Sequence, residues 1–158
     1  MRLKKTYGEH CPESQAQLFA FEKTVATNSL GPTINDLVRM RVSQINGCLF
    51  CLDMHAKEAK LHGERELRIY HLSVWRESTL FNGRERSALA WAEALTRLGR
   101  DDFDGEFQAV SRQFSEQEVV ELTFVVGVMN VWNRFGVAFQ TQPGSLDKMM
   151  GLDKAGLA

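Results

Sequence analysis

An all-α fold, a single-domain helical bundle of six or seven helices, is predicted by three observations. Apolar residues recur at three- and four-residue steps through most of the chain, no stretch sustains the alternation and β-branched enrichment of a half-buried strand, and only three prolines interrupt it. The chain has 158 residues, 44% of them hydrophobic and 25% charged, which suits one globular core. It is read as a single domain over residues 1–158, with 1–12 and 141–158 as less regular ends.

From Glu13, the spacing of Leu18, Phe21 and Val25 predicts a first amphipathic helix, closed by the turn signal Asn28-Ser29-Leu30-Gly31-Pro32. Thr33 is placed to cap a second helix, in which Ile34, Leu37, Val38, Val42 and Ile45 share a face until Asn46-Gly47 stops it. A third begins at or near Cys48 and runs to Leu61 or His62, with Gly63 as its left-handed terminator. A short helix over 64–72 and a less regular stretch over 73–81 follow. Asn82 with Glu85 forms a capping box for the next helix, whose period is Ala88, Trp91, Ala92, Leu95 and Leu98. After a polar break over 99–104, a shorter helix carries Phe107, Val110 and Phe114. Ser115 and Glu118 form a second capping box, opening the most apolar helix, 116 to about 139. Its Val119, Leu122, Val125, Val126, Met129, Trp132 and Phe135 leave little polar face, which predicts a central position or a subunit contact. Beyond Gln142-Pro143-Gly144 the signals are weak and a loosely ordered tail is expected.

Charge and composition exclude several function classes. The net charge is -1 with no Lys/Arg-rich block, so nucleic acid and anionic membrane surfaces are not expected partners. Residues 1–15 lack the apolar stretch of an export signal. The most apolar run, 122–133, is interrupted by Thr123 and Asn130 and is too short to span a bilayer. Three cysteines without an export signal imply a cytoplasmic setting with reduced thiols, in which a paired Cys-x-x-Cys is catalytic or metal-binding before it is structural. Cys11, alone beside Pro12, is incidental.

The chemistry concentrates in Gly47-Cys48-Leu49-Phe50-Cys51-Leu52-Asp53-Met54-His55. On a helix, Cys48, Cys51, His55 and His62 form a stripe along the border of the apolar arc Leu49, Leu52, Ala56 and Ala59. Zinc would need four ligands, and only Cys48, Cys51, His55 and His62 are near, with no second Cys-x-x-Cys, so no metal is expected. A c-type haem would need histidine where Leu52 stands, and a thioredoxin site needs βαβ surroundings. A dithiol peroxidase fits better, provided the site lowers a thiol pKa from about 8.5. Cys48 at a helix N-terminus has the dipole, Cys51 has His55 one turn away, and the residues do not choose between them. If the chain reverses at Asn46-Gly47, Asp36 on the preceding helix comes within about one helical turn of His55 and can orient its imidazole.

The run from Asp36 to His55 closely resembles the core of the AhpD-like branch of the carboxymuconolactone decarboxylase superfamily, an acid twelve residues before Cys-x-x-Cys-x-x-x-His. Ala88 to Thr96 and Asn130-Val131-Trp132-Asn133-Arg134 look like that family too. The resemblance implies an all-helical subunit assembling into trimers or hexamers. It also implies a peroxidase that reduces hydrogen peroxide or organic hydroperoxides with no cofactor, regenerated by a lipoyl-type or thioredoxin-like dithiol. In that scheme Cys51 is the peroxidatic cysteine, oxidised to a sulfenic acid, and Cys48 is the resolving cysteine that condenses with it to a disulfide. His55 is the proton relay, and Asp36 stands where the family usually has glutamate. Phe50 stands where the best-studied type has histidine, and the less polar surroundings raise a thiol pKa, which implies either slow activity or a different, apolar peroxide. Arg134 either adds positive charge to the site or pairs at a helix or subunit contact. Two other readings are a decarboxylase or lyase acting on a small cyclic carboxylic acid through His55, and a redox sensor without turnover.

Overall fold

Three helices begin where side chains and backbone cap each other. In the computed structural model, which describes residues 2–99 and 102–157, Thr6, Asn82 and Ser115 each accept from the N–H three residues on, and Glu9, Glu85 and Glu118 reach back to the capping residue's N–H. These caps open α1 (Tyr7–His10), α6 (Gly83–Thr96) and α8 (Glu116–Phe139). The others are α2 (Pro12–Ala26), α3 (Pro32–Asn46), α4 (Leu49–Leu61), α5 (Glu66–His71), α7 (Asp104–Ser111) and α9 (Asp147–Met150), with 3₁₀ turns over Leu72–Val74 and Leu152–Ala155. The described residues contain no strand. Seven of the nine α-helices among the described residues are those the periodicity predicts. The two additions, α1 and α9, have four residues each, too few to show a period.

Two boundaries differ from expectation. Gly31, with φ of 82°, is the N-cap of α3 and Pro32 is its first residue, so Thr33 lies inside the helix. α6 ends at Thr96, which leaves Leu98 outside it and 70% exposed. The polar break over 99–104 lies partly outside the described residues.

α3 is the most enclosed helix, packed by α4, α6 and α8. Leu37, Val38, Met40 and Val42 are at most 1% exposed, and each contributes roughly 1.5–3 kcal/mol of burial. α8 runs across it with Val119, Leu122, Val125, Val126, Val128 and Met129 buried. By length and composition α8 is apolar enough to cross a membrane, contrary to the estimate from the 122–133 run, but it lies in the bundle with this face against the core. Its other face carries Val120, Phe124, Val131 and Val137 outward.

Polar seams fix the relative position of these helices. Glu93 on α6 accepts from Arg41 Nε of α3 (2.6 Å), Trp75 Nε1 (2.8 Å) and Arg76 (2.5 Å). Burial works against its charge, but those three donors hold its carboxyl below the usual range. Between α3 and α8, Asn133 donates to Ser43 Oγ (3.2 Å) while Asn46 donates to Asn133 (2.9 Å) and Asn130 (3.0 Å). This seam registers the last turns of α8 on the junction of α3 and α4. The segment beyond α8 turns back at Gly144, where φ is 72°, and its 3₁₀ turn packs on α4, with Leu152 only 3% exposed.

Candidate active site

Gly47 makes the site possible by ending α3 in the left-handed region (φ 67°), which costs glycine little. Its N–H and that of Cys48 return to the carbonyls of Gln44 (3.3 Å) and Ser43 (3.0 Å), and the chain reverses directly into α4. Cys48 is the N-cap, and its sulfur accepts from the Cys51 N–H at 3.3 Å. Cys48 and Cys51 form a disulfide across this first turn, with their Cα atoms 5.4 Å apart. Both are 2% exposed, whereas Cys11 is free and exposed.

α8 closes over the sulfurs at Gly136. A Cβ there would lie 2.5 Å from Cys48 Sγ and 3.3 Å from Cys51 Sγ, so only glycine fits this crossing. One turn along α4 from Cys51, His55 is 2% exposed. Its Nδ1 pairs with Glu58 Oε2 at 2.6 Å, and its Nε2 is buried without a partner. Burial opposes ionisation of Glu58, but the His55 hydrogen bond and charge, with Arg39 and His62 nearby, hold its carboxyl below the usual glutamate range. An ionised carboxylate only accepts, so Nδ1 carries a proton, and in the neutral imidazole Nε2 presents a lone pair.

Cys51 and His55 open on a cavity of about 190 Å³. Its walls are apolar, from Tyr7, Phe19, Phe50, Met54, Trp132, Leu146 and Met150, and Cys48 is not among them. One wall is polar. Arg39 pairs with Glu22 at 2.5 Å, Trp132 Nε1 donates to Glu22 at 2.9 Å, and Glu58 stands beside them. Glu22, Arg39 and Glu58 also line a second, water-open pocket of about 380 Å³ on the other side, which contains Asp36 and His62.

Of the residues singled out in the sequence, Cys48, Cys51 and His55 come together and Asp36 does not join them. Asp36 Oδ2 pairs with His62 Nδ1 at 2.7 Å. Counting as far past Gly47 as Asp36 lies before it reaches Glu58, with His55 one turn to one side and His62 one turn to the other. Because Glu58 already holds His55 within α4, Asp36 takes the histidine that is left. Burial pushes the Asp36 carboxyl above its usual range, with the His62 hydrogen bond and charge opposing. Arg134 is exposed and donates to the Asn130 carbonyl of its own helix (2.6 Å), away from the cavity.

Sequence reading missed Glu58, Gly136 and the Glu22–Arg39 pair. Glu58 was legible as an acid at i+3 from His55. The other two depend on helices that meet only in the fold.

The family model "Carboxymuconolactone decarboxylase family" matches residues 12–94. Among curated proteins, an uncharacterised protein of Bacillus subtilis, YdfG, is 33% identical over 146 residues, covering 92% of this chain and 99% of that protein. Among solved structures, a protein of unknown function from Agrobacterium tumefaciens, described as a candidate antioxidant defence protein AhpD, superposes with a TM-score of 0.86 and 36% identity over 90% of this chain and 97% of its own. A variant of the debrominase Bmp8 in complex with 2,3,4-tribromopyrrole shares the fold at a TM-score of 0.78 and 19% identity, over 93% of this chain and 79% of its own.

Proposed function

The chain belongs to the carboxymuconolactone decarboxylase family, in its AhpD-like branch, and from that premise we propose that it is a thiol peroxidase reducing hydrogen peroxide or organic hydroperoxides through a Cys48/Cys51 dithiol–disulfide cycle. The observation that carries this reading is the division of labour between the sulfurs. Cys51 opens on the apolar cavity with the unpartnered His55 Nε2, while Cys48 sits behind it as the N-cap of α4.

In the reduced enzyme His55 Nε2 takes the Cys51 thiol proton. The thiolate attacks the distal peroxide oxygen, the O–O bond breaks, Cys51 becomes a sulfenic acid, and the departing alkoxide takes the proton from His55 and leaves as the alcohol. Cys48 then attacks Cys51 Sγ, the S–O bond breaks, and the oxygen leaves as water once protonated. The α4 N-terminus and the Cys51 N–H stabilise Cys48 as the thiolate for this second step. A lipoyl-type or thioredoxin-like dithiol, oxidised in its turn, restores both thiols. No cofactor is required, and the setting is cytoplasmic, where thiols are kept reduced. The outward apolar residues of α2 and α8, Phe19, Phe21, Phe124 and Val131, support assembly into a trimer or hexamer.

Stopped-flow assays with hydroperoxides and dihydrolipoamide test the reading, alongside mass spectrometry of the disulfide. Wild type is expected to turn over and Cys51→Ser to lose turnover entirely; retained peroxidase activity in that variant overturns the assignment. The aromatic lining by Phe19, Phe50 and Trp132 favours one second reading. This is reductive debromination of a small aromatic, Ar–Br with two thiols giving Ar–H, HBr and the disulfide, and a brominated pyrrole assayed in parallel separates the two.

A further inference from the structure

The Cys51 cavity is built in two parts. Its reactive and polar groups, Cys51, His55, Glu58 and Arg39, fall within residues 12–94, but Leu146 and Met150 come from the segment beyond α8. That segment is fastened to the helix that carries the chemistry. Lys57, its side chain 8% exposed, holds Asp53 of its own helix at 2.9 Å and Asp147 of α9 at 2.7 Å. Asp53 Oδ2 also accepts from the Gly144 N–H at 3.1 Å, at the left-handed turn that aims the chain back. Leu152, buried in the following 3₁₀ turn against α4, anchors the far end. On α4 the residues Asp53 and Lys57 are one turn apart, and Met54, His55 and Glu58 beside them face the cavity. The fastening and the reacting groups therefore share one rigid element.

We propose that residues 144–152 form the specificity wall of the Cys51 cavity, with Lys57 as its clasp, so that Leu146 and Met150 set the size of substrate admitted to the sulfur. The inference rests on the thiol-peroxidase reading and adds its specificity determinant. Three features of the segment support it. Its contacts with the cavity are purely apolar side chains, which limit size without taking part in proton or electron transfer. Its fastening is ionic and mostly shielded from water, so it holds one position. Asp147 and Asp53 both raise the Lys57 pKa, which keeps the clasp charged wherever the enzyme works. An apolar pocket discriminates by size over about one to two orders of magnitude.

Two measurements test the wall. In the first, kcat/KM is compared for tert-butyl and cumene hydroperoxides with dihydrolipoamide as reductant. Lys57→Met, which keeps the buried stem but loses the charge, and Leu146→Ala are expected to raise the cumene-to-tert-butyl ratio about tenfold, and Met150→Trp to lower it. The second needs no peroxidase activity. The reduced protein is alkylated with iodoacetamide and with N-phenylmaleimide, and modification at Cys51 is followed by peptide mass spectrometry with exposed Cys11 as the internal reference. The Cys51/Cys11 rate ratio for the bulky reagent should rise in Lys57→Met and Leu146→Ala and hold steady for the small one. Ratios within twofold of wild type in all variants, in both measurements, overturn the proposal. Failure of the peroxidase reading looks different: wild type consumes neither hydroperoxide, while the alkylation ratios still respond to the wall.

Discussion

Glu58 controls what His55 can do, because a carboxylate on Nδ1 leaves Nε2 as the only free position on the ring. Glutamine at 58 could present either its oxygen or its NH₂ to Nδ1, so the proton would no longer be confined to that nitrogen. Glu58→Gln is expected to slow oxidation of Cys51 by peroxide about tenfold or more, the lower range for misplaced general acid–base help, measured by stopped-flow on the pre-reduced protein. The same substitution carries a pH signature. Since the folded carboxyl titrates below its unfolded value, its contribution to stability is present above the ordinary glutamate range and is lost as pH falls through the folded value. The Tm deficit of Glu58→Gln should therefore shrink on acidification. Asp36 has the opposite sign: its raised pKa means that the folded protein loses stability as pH climbs from the ordinary aspartate range through the raised value. These two acids also mark the limit of what single residues show. Cys48, Cys51 and His55 were legible because all three lie within two turns of one helix. Which acid serves which histidine depends on the register of α3 against α4, and no residue type encodes that register locally.

Helix starts were legible at two of the three capping boxes, and missed at Thr6–Glu9, whose helix is too short to show a period. Asn82 with Glu85 and Ser115 with Glu118 start α6 and α8 where expected, and Gly47 stops α3. The start of α3 was misjudged because Gly31-Pro32 uses backbone conformation where a hydroxyl cap was expected. Where helices cross, periodicity is silent, and the contact of α8 with the start of α4 shows why. Val125, Val126 and Met129 read as an apolar face, but nothing in that period marks Gly136 as the residue laid against both sulfurs. The Ser43–Asn46–Asn133 seam holds the two backbones at that separation, so an added methyl at 136 has no room to shift along the helix. Gly136→Ala is expected to destabilise the oxidised protein by about 1–3 kcal/mol, the usual cost of overpacking a core. In the reduced protein each sulfur can rotate away and the cost should be smaller. Thermal unfolding of both redox forms checks this, and an equal loss in the two would show that the methyl strikes something other than the sulfurs.

The whole molecule must survive both states of its own disulfide if it is to turn over. The bridge closes a loop of only four residues, between the N-cap and the first turn of α4. In the chain-entropy description so short a loop stabilises by no more than about 2 kcal/mol, well under the stability of an ordinary domain. The remaining framework does not depend on a bond between the sulfurs: the enclosed face of α3, the Glu93 hub, and the seam between α3 and α8 are each held by other contacts and are expected to persist on reduction. Reduction is therefore expected to be a local event in a fold that stands without the bridge, as a cycling dithiol would require and a structural cross-link would not. On treatment with excess dithiol the far-ultraviolet circular dichroism should keep its helical signature, and the Tm should fall by at most about 4–8 °C, the shift that 2 kcal/mol produces in a chain of this length. Unfolding on reduction would make the bridge a structural staple and remove the basis for a catalytic cycle.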